Sequence, residues 1–469
     1  MSSSVFHAYD IRGLAPGELD SAFSARLARA VIREFHPKKV IVGRDMRLTS
    51  PDLEAALVTE LTSHGVDVVR IGLCSTPLFN VTVGLTNGAV DLGIMVTASH
   101  NPGTYNGYKL VKGDMTPIGQ GSGMEELESS FGKDEALPAS ASIGSVTDDP
   151  SALSRYVDHI IALAELPADM PTMKVAIDAG NGMAGAVLPE LLKRLPWLEA
   201  KTLYMEPDGN FPNHEANPLK RETLNDLSRI VTKEGCVVGV AFDGDADRIG
   251  FVDEAGVPVP GDLMTALLGT ELLSSKPGSL VLYDLRSSWS VPEAIEAAEG
   301  KAKMCRVGHA FIKRQMREEG ALFAGEVSMH YYFQAINNVE SGDLVMLLIL
   351  KKLTHAAGAF SSLWKPLLTY SHSGEINFEV ADKTAAVARV KEAYGSKATG
   401  TTDIDGIRME FRDAAHSEND WWFSLRLSNT EPLIRLNLES RSKELTAKKV
   451  AELSGLILRQ AQDDNVASI

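Results

Sequence analysis

The sequence predicts an α/β protein with three consecutive α/β domains, each with a mixed, mostly parallel sheet, and a smaller C-terminal α+β domain. First, strand-like apolar runs alternate with helical periodicity along most of the chain, which favours parallel strands joined by helical crossovers. Second, this alternation restarts after residue 150 and again after residue 255. Third, beyond residue 365 the strand-like runs follow one another more closely, which indicates an antiparallel sheet.

The first domain is predicted over residues 1–150. Its recognisable elements are, in order, a strand, a helix and two strands, at residues 39–42, 51–64, 66–71 and 91–96. Residues 134–149 are rich in Ala, Ser, Asp and Pro and are predicted to be a linker.

The second, third and fourth domains are predicted over residues 151–255, 256–365 and 366–469. The second contains a strand, a helix and a strand, at residues 174–178, 185–195 and 236–242. After a turn at residues 254–256, the third contains a helix, a strand and a helix, at residues 262–274, 279–284 and 310–319. The fourth contains four strands and a closing helix, at residues 374–380, 406–412, 421–427, 434–439 and 442–461.

The composition is that of a folded globular protein. The chain has 469 residues, of which 44% are hydrophobic and 23% charged, and this balance excludes disordered and collagen-like classes. A length of roughly 100–200 residues per domain is compatible with four domains. Lys and Arg number 46 and Asp and Glu 62, so the net charge of −16 argues against sequence-independent nucleic-acid binding.

The sequence favours a cytoplasmic protein. Cys74, Cys236 and Cys305 form no C-x-x-C pair, which suits a reducing compartment better than a disulfide framework or a structural zinc site. No cationic and then apolar segment opens the chain, so no secretory signal is predicted. The most apolar helical run, residues 344–350, is far shorter than the roughly 20 residues of a membrane span. We therefore expect no membrane, no nucleic acid and no obligate protein partner.

The segment TASHNP, residues 97–102, follows a strand and so forms a loop at a carboxyl end, where open α/β sheets bind ligands. Ser99 stands there between a histidine, an asparagine and a proline that stiffens the turn. A serine held in this way can act as a nucleophile or a phosphate carrier, although the same residues also make ordinary polar turns. The segment is not the G-x-S-x-G elbow of hydrolases.

The segment DGDADR lies between two apolar strands. Asp243, Asp245 and Asp247 alternate, so their carboxylates can converge on one hard cation such as Mg²⁺. Arg248 adds a donor suited to phosphate. With Glu254 the aspartates also match positions of an EF-hand, but Arg248 stands where that loop needs glycine and the flanks are strand-like. We therefore reject a calcium sensor.

The segment RLSNTEP, together with a following arginine, resembles an anion cradle. Basic side chains, hydroxyls, an amide and backbone N–H groups in a tight turn suit a phosphate, although an ordinary surface hairpin is the alternative. The candidate residues are Arg426, Ser428, Asn429, Thr430 and Arg435.

Two further segments carry candidate sugar contacts. In GEVSMH, Glu326 and Ser328 stand two apart on an extended stretch, so both point to one side and can hold neighbouring sugar hydroxyls. GHAFIK contributes His309 and Lys313, and GEVSMH ends in His330. A single histidine is more often structural, so these titratable groups gain weight only together.

The segment GNGMAG, residues 180–185, follows a strand and opens a helix, as a dinucleotide-binding G-x-G-x-x-G does. It lies deep in the chain, however, and no clean acidic residue follows at a strand end near the expected spacing of roughly 20 residues. A tight strand–helix turn is therefore favoured, and a nicotinamide-dependent oxidoreductase is the alternative from a different class.

Taken in order over nearly the whole chain, AYDIRG, TASHNP, NGYK, DGDADR, GHAFIK, GEVSMH and RLSNTEP resemble the motifs of the α-D-phosphohexomutase family. The resemblance implies four domains around a central cleft. It implies an intramolecular phosphotransferase that interconverts hexose 1-phosphates and hexose 6-phosphates through a phosphoserine and a bisphosphorylated sugar. It also implies one Mg²⁺ ion, activation by a hexose 1,6-bisphosphate, and sugar phosphates as partners.

The resemblance assigns roles to the matched residues. Ser99 is implied as the phosphate carrier and as a metal ligand together with Asp243, Asp245 and Asp247. The implied catalytic residues are Ser99, Arg12, Lys109, Arg248, His309 and His330, with Lys109 and the histidines as candidates for acid/base work. The expected substrate-binding residues are Glu326, Ser328, Lys313, Arg286, Arg426, Ser428, Asn429, Thr430 and Arg435.

The resemblance also bears on the sugar. Val327 in GEVSMH and Thr97 in TASHNP are similar to the mannose and glucose mutases, so a phosphomannomutase/phosphoglucomutase is expected. A phosphoglucosamine mutase is the alternative within the family. Met329 departs from the glycine that is commoner at its position.

Overall fold

A computed structural model describes residues 5–133, 137–138, 140, 142–356, 358–427 and 433–458. The described residues form four sheets that follow one another along the chain. The first three combine parallel and antiparallel strands, and the fourth is wholly antiparallel, so the predicted fold class is confirmed. None of the described helices is long and apolar enough to cross a membrane.

The first sheet has six strands in the order β1–β5–β4–β2–β3–β6. The elements are β1 Ile11–Leu14, α1 Ser21–Phe35, β2 Lys39–Arg44, α2 Ser50–Ser63, β3 Asp67–Leu73, α3 Thr76–Leu85, β4 Leu92–Val96, β5 Tyr105–Lys112, α4 Met124–Lys133 and β6 Val146–Asp148. Strands β4, β2, β3 and β6 are parallel, while β5 and β1 add antiparallel strands at one edge.

Strand β6 corrects part of the predicted linker. Residues 146–148 pair parallel with β3 and form the exposed edge of the first sheet. This short edge strand contains one apolar residue, so its sequence carries no periodic signal.

The second sheet has the order β11–β10–β9–β7–β8. The elements are α5 Ala152–Ala164, β7 Met173–Asp178, α6 Ala184–Lys193, β8 Leu198–Leu203, α7 Asn225–Glu234, β9 Val238–Phe242, β10 Ile249–Asp253 and β11 Pro258–Val259. The predicted turn at residues 254–256 joins β10 to β11 in an antiparallel hairpin. The second sheet therefore extends a few residues past the predicted limit at residue 255; the four domain limits themselves stay predictions.

The third sheet has the order β13–β12–β14–β15–β16. The elements are α8 Gly261–Ser275, β12 Leu280–Asp284, α9 Ser290–Ala297, β13 Lys301–Cys305, α10 His309–Glu319, β14 Phe323–Gly325, β15 Tyr331–Phe333, β16 Val339–Glu340, α11 Gly342–His355 and α12 Ser361–Trp364. The apolar helix α11 packs on α5 of the preceding domain, so it is an internal helix.

The fourth sheet has the order β17–β21–β20–β19–β18. The elements are β17 Ser371–Glu379, α13 Lys383–Tyr394, β18 Gly400–Thr402, β19 Ile407–Phe411, β20 Trp421–Leu427, β21 Leu433–Ser440 and α14 Lys443–Leu458. Its hydrophobic core, from Phe378 to Ile457, is separate, whereas one continuous core joins the second and third domains and reaches into the first.

The GNGMAG turn has no open space in front of it. Gly180 has φ of +55°, and the Met183 N–H donates to the Gly244 carbonyl at 2.9 Å. A Cβ on Gly182 would lie 2.9 Å from that same carbonyl oxygen. The glycines therefore allow the turn to pack against the DGDADR loop, where a dinucleotide pyrophosphate would have to sit.

We expect Gly185→Ala to lower the free energy of unfolding by about 2 kcal/mol or more, because overpacking of this kind forces the backbone to shift. The added Cβ would lie 1.8 Å from the Met205 carbonyl oxygen. Gly455→Ala in α14 is the control, because nothing lies within 4 Å of its Cβ position and the change adds about 0.5 kcal/mol of helix propensity. Urea titrations measure both. An unchanged midpoint for Gly185→Ala would contradict the described packing.

Candidate active site

Ser99 lies in the loop that follows β4. Its φ of +51° falls in the left-handed region, which non-glycine residues rarely adopt. The Ser99 N–H donates to Thr97 Oγ1 at 3.0 Å, and only 3% of the residue is exposed. A strained conformation persists where the surroundings fix it, so the Ser99 hydroxyl is held in one place.

Arg47 fixes this loop, and the sequence analysis does not single it out. The buried guanidinium donates at 2.6–2.8 Å to four backbone carbonyls of the loop, those of Ser99, Asn101, Pro102 and Tyr105. Its Nε also donates to Asp45 Oδ2 at 3.2 Å, which balances the charge. The available signal was a charged pair directly after β2, the strand that neighbours β4 in the sheet.

The three aspartates of DGDADR lie in the loop between β9 and β10, which pair antiparallel. Asp243, Asp245 and Asp247 are buried, and each offers a carboxylate oxygen within 4.8 Å of the others. Ala246 has φ of +62°, so the loop turns sharply between the second and third aspartates. The structure thus brings together the three carboxylates that the spacing groups.

The Ser99 hydroxyl contacts this loop directly. Ser99 Oγ donates to Asp243 Oδ2 at 2.9 Å, and His100 Nδ1 lies 3.2 Å from the same hydroxyl. Gly244 makes the approach possible, because a Cβ at this position would lie 2.3 Å from the Ser99 carbonyl oxygen.

Lys109 on β5 balances part of the aspartate charge. Its Nζ donates to Asp245 Oδ2 at 2.7 Å and to Asp247 Oδ2 at 2.6 Å. Burial acts to lower the pKa of Lys109, but the two carboxylates outweigh it and raise the pKa above its ordinary value. Thr76 Oγ1, in the first turn of α3, donates to Asp245 Oδ2 at 2.5 Å. Lys109 is therefore positively charged in this arrangement of the site.

The remaining aspartate oxygens suit a divalent cation. Asp245 Oδ1 is buried and has no hydrogen-bond partner in the part of the chain that the structure describes. A buried charged oxygen is unfavourable unless a donor or a cation meets it. Oxygen ligands are those that Mg²⁺ prefers, so the donor set fits a bound Mg²⁺ beside Ser99 Oγ.

The aspartates also shift one another's ionisation. Burial first, and then the charges of Asp247 and Asp245, raise the pKa of Asp243 to about 8. For Asp247, burial acts to raise the pKa, but Lys109 and His330 hold it well below its ordinary value. Like charges in a buried site disfavour joint ionisation, so an added cation stabilises the ionised cluster.

Glu326, His330 and Arg248 form a second group beside the aspartates. His330 Nε2 lies 3.3 Å from Asp247 Oδ1, and His330 Nδ1 lies 3.2 Å from Glu326 Oε2. Burial and Arg248 act to lower the pKa of His330, but the two carboxylates outweigh them and raise it to about 9. Arg248 Nε also donates to His330 Nε2 at 3.2 Å, a bond that the ring accepts only when Nε2 carries no proton, so Arg248 and Asp247 compete for this nitrogen.

The end of β12 and the loop that follows it contact the GEVSMH segment through Asp284 and Arg286. Asp284 Oδ2 accepts from the Val327 N–H at 2.8 Å, and the Arg286 guanidinium forks onto the same carboxylate at 3.1 and 2.6 Å. Arg286 Nη2 lies 3.9 Å from Glu326 Oε1. Asp284 therefore positions both the Arg286 side chain and the backbone of the GEVSMH segment. No sequence motif assigns this role to Asp284.

The fourth domain contributes two arginines to the candidate site. Arg426 and Arg435 are direct partners on β20 and β21. Arg426 forks onto Asp405 Oδ2 at 2.8 Å through both Nε and Nη2. Ser428, Asn429 and Thr430 lie outside the described residues.

A cavity of about 820 Å³ joins these groups and receives residues from all four sheet-forming regions of the chain. Tyr9 and His100 also line it, although the sequence analysis assigns them no role. The predicted site residues along its wall are Arg12, Ser99, Lys109, Asp247, Arg248, Arg286, His309, Glu326, Ser328, His330, Arg426 and Arg435.

Lys313 is placed elsewhere. It lies one helical turn beyond His309 on α10, where its Nζ is 2.7 Å from Glu340 Oε2 beside a separate cavity of about 20 Å³. Both residues of this pair are buried. His309 does line the central cavity, and its two ring nitrogens are buried without a hydrogen-bond partner among the described residues. The structure therefore does not bring Lys313 to the cavity.

Comparison with known proteins assigns the chain to a family. Models of phosphoglucomutase/phosphomannomutase α/β/α domains I, II and III match residues 3–137, 154–256 and 260–370, and the C-terminal domain model matches residues 375–455. The chain belongs to the phosphoglucomutase/phosphomannomutase family. Its members are phosphohexomutases, and the predicted enzyme class is confirmed.

Individual relatives in this family match over nearly their whole length. A phosphomannomutase of Methanocaldococcus jannaschii is 38% identical over 97% of this chain and 98% of its own. The phosphohexose mutases of Xanthomonas campestris pv. campestris strain B100 are 37% identical over 97% of this chain and 100% of their own. The crystal structure of a family protein from Burkholderia thailandensis superposes with a TM-score of 0.86 at 30% identity, covering 97% of both chains.

We expect His330 to contribute a fall of roughly 3 kcal/mol in stability as the pH rises from 6.5 to beyond 9 in EDTA, in addition to a decline from Asp243, whose pKa of about 8 acts in the same direction up to that pH. The pKa of His330 is about 9 in the folded protein, against an ordinary value of about 6.5. Its charged form therefore stabilises the fold fully below pH 6.5, and this contribution disappears as the pH passes 9. Urea titrations across this range measure the effect.

His330→Asn should remove the histidine's share and make this part of the pH profile shallower, whereas His416→Asn, at an exposed position, should leave it unchanged. An equally steep decline in His330→Asn would show that another group is responsible.

Proposed function

We propose that this phosphohexomutase interconverts the 1-phosphates and 6-phosphates of mannose and glucose through a phosphoserine at Ser99, with Mg²⁺ and a hexose 1,6-bisphosphate as activator. One observation carries the proposal. Ser99 Oγ lies 2.9 Å from the Asp243 carboxylate, and the same cavity is lined by Arg426 and Arg435 of the fourth domain. The proposed phosphate carrier and a cationic group of the fourth domain thus share one cavity.

In the forward half of the reaction, phosphorylated Ser99 gives its phosphoryl group to a free hydroxyl of a hexose monophosphate. The Ser99 O–P bond breaks, a new P–O bond forms to the sugar, and the sugar hydroxyl loses its proton to a base. Lys109, His309 and His330 are the candidates for that base or for its acid counterpart. In the second half, the other phosphate of the bisphosphorylated sugar returns to Ser99, so the total phosphate is conserved.

The aspartate cluster would hold Mg²⁺ for this transfer. Asp243, Asp245 and Asp247 supply oxygen ligands, and a phosphoserine oxygen at Ser99 completes the set. Bound there, Mg²⁺ supplies neutralisation of charge on the transferring phosphoryl oxygens. Arg248, whose backbone N–H donates to Asp243 Oδ1 at 3.1 Å, adds its positively charged guanidinium beside the aspartates.

The far side of the cavity would orient the sugar. Glu326 and Ser328 are the proposed hydroxyl contacts, and Arg426 and Arg435 are the proposed contacts of the non-reacting phosphate. Binding energy from that remote phosphate positions the reacting hydroxyl at Ser99. Because the bisphosphorylated sugar must turn over, the same contacts have to accept either end of it.

The choice of hexose rests on two residues and on the relatives. Val327 and Thr97 favour mannose and glucose over glucosamine, and the Methanocaldococcus jannaschii relative is named a phosphomannomutase. A substrate panel of mannose, glucose and glucosamine 1-phosphates, with Mg²⁺ and the activating bisphosphate, decides the point. Preference for glucosamine 1-phosphate would favour the alternative, a phosphoglucosamine mutase.

We expect Ser99→Ala to abolish interconversion of hexose 1- and 6-phosphates while leaving the fold intact, because the carrier oxygen is lost. The purified wild-type protein should contain a fraction heavier by about 80 Da, the mass of one added phosphoryl group, and this fraction should be missing from the variant. Intact-mass analysis and a coupled mutase assay measure both. Ser63→Ala, at an exposed position, is the control. Retained activity in Ser99→Ala would refute the proposed carrier.

We expect Asp245→Asn to raise the Mg²⁺ concentration for half-maximal activity by more than about tenfold, because one charged ligand is removed without a change in shape. Calorimetric titration with Mg²⁺ alone should show the same weakening. Asp158→Asn, at an exposed position on α5, is the matched control. Unchanged Mg²⁺ curves for Asp245→Asn would contradict the assigned metal site.

A further inference from the structure

Arg408 is a buried cation outside the cavity that the proposed function does not use. It lies on β19 of the fourth domain, and only 1% of the residue is exposed. Its Nη1 donates to the Leu285 carbonyl at 2.7 Å and to the Ser287 carbonyl at 3.1 Å. These two carbonyls flank Arg286, which lines the cavity.

The remaining contacts of Arg408 hold its guanidinium in one orientation. The guanidinium carbon lies 3.7 Å from the ring centroid of Trp422, and Nε donates to Glu410 Oε1 at 2.9 Å. A planar guanidinium can hold Glu410 through Nε while Nη1 reaches the loop carbonyls, whereas a lysine ammonium is a single point charge and cannot meet both at once. Arg408 therefore holds the loop after β12 in one position relative to the fourth domain.

The loop after β12 is linked by hydrogen bonds to the GEVSMH segment, whose residues line the cavity. Asp284 receives the Arg286 fork and the Val327 N–H, so the Asp284–Arg286 pair joins the loop to GEVSMH. A chain of contacts therefore runs from Arg408 through the loop carbonyls to Arg286 and Glu326, which lie 3.9 Å apart.

A second contact ties the same loop to the fourth domain. Glu439 Oε1 accepts from the Trp289 N–H at 3.0 Å and from Trp422 Nε1 at 2.8 Å. Trp289, Tyr370 and Trp422 form a small apolar cluster at this junction, separate from the cores on either side. The junction therefore combines a small apolar cluster with hydrogen bonds, and the core of the fourth domain does not extend across it.

From this arrangement we propose that Arg408 is a positioning residue that couples docking of the fourth domain to the placement of Arg286 against the substrate. The inference rests on the proposed function and on the expectation, from the family resemblance, that Arg286 contacts the substrate in the cavity that it lines. The fourth domain also carries Arg426 and Arg435. Docking of this domain thus delivers the distal phosphate contacts and sets Arg286 at the same time.

Binding of a hexose 6-phosphate, measured by calorimetry without turnover, tests the coupling. We expect Arg408→Met to weaken binding about tenfold or more, the effect of losing hydrogen bonds to a charged group. Arg408→Lys should restore little of it, because one ammonium cannot hold Glu410 and reach the loop carbonyls at the same time. Arg412→Met is the matched control, since Arg412 stacks on Trp289 at 3.4 Å at the same junction, and the structure shows no hydrogen bond from it to the carbonyls of residues 285 and 287. It should change binding less than threefold.

A double-mutant cycle with Arg286→Met distinguishes coupling from a structural effect. If Arg408 acts through Arg286, the double variant should bind as weakly as Arg286→Met alone. Losses that multiply independently would overturn the proposal, as would full binding by Arg408→Met. If Arg408→Met does not fold, the same cycle with Arg408→Lys decides.

The outcome is separable from that of the proposed function. Absence of hexose 6-phosphate binding by the wild-type protein would count against the proposed function. Wild-type binding with an unaltered Arg408→Met would count against the coupling alone.

Discussion

Three buried carboxylates within 4.8 Å of one another are the constraint on which the site depends. At an effective dielectric constant near 20, each pair of charges at that distance repels by about 3 kcal/mol. Lys109, His330 and Arg248 offset part of this repulsion, and Thr76 and Ser99 add hydroxyl donors. Asp245 Oδ1 still has no hydrogen-bond partner among the described residues, and the proposed phosphoserine would add further negative charge, which is the physical case for Mg²⁺.

The hydrophobic core is divided between two bodies, the first three domains and the fourth domain. One continuous apolar core joins the second and third domains to part of the first, so the loops that carry the aspartates and GEVSMH share a single support, which also packs against the Ser99 domain. The fourth domain has its own core and meets the third at a junction that includes a separate apolar cluster. The proposed transfer chemistry therefore lies on domains that share one core, while the proposed contacts of the distal phosphate lie on a domain with a core of its own.

Local patterns predict much of this structure. The strands around TASHNP and DGDADR, the antiparallel C-terminal sheet and the convergence of the aspartates follow from periodicity and spacing, and the family motifs place the cavity. Other features depend on long-range packing that no local pattern carries. Arg47 reaches carbonyls more than fifty residues away, Asp284 serves a loop from another strand, and β6 has a single apolar residue. Lys313 is predicted to contact the substrate because it is close to the candidate sugar contacts in sequence. In the structure it lies one helical turn beyond His309, where it contacts Glu340.

Met329 shows how an unusual residue can preserve a loop. Glycine is commoner at its position in the family, and the structure gives Met329 a φ of +67°, a conformation that glycine adopts without strain. The Cβ positions of Gly250 and Gly261 would each lie 3.1 Å from the Met329 side chain, which is buried between them. Two glycines thus provide the space for the methionine, and its packing offsets a backbone strain of about 1 kcal/mol. The Met329 side chain therefore anchors the Glu326–His330 turn to Gly250 of the second domain.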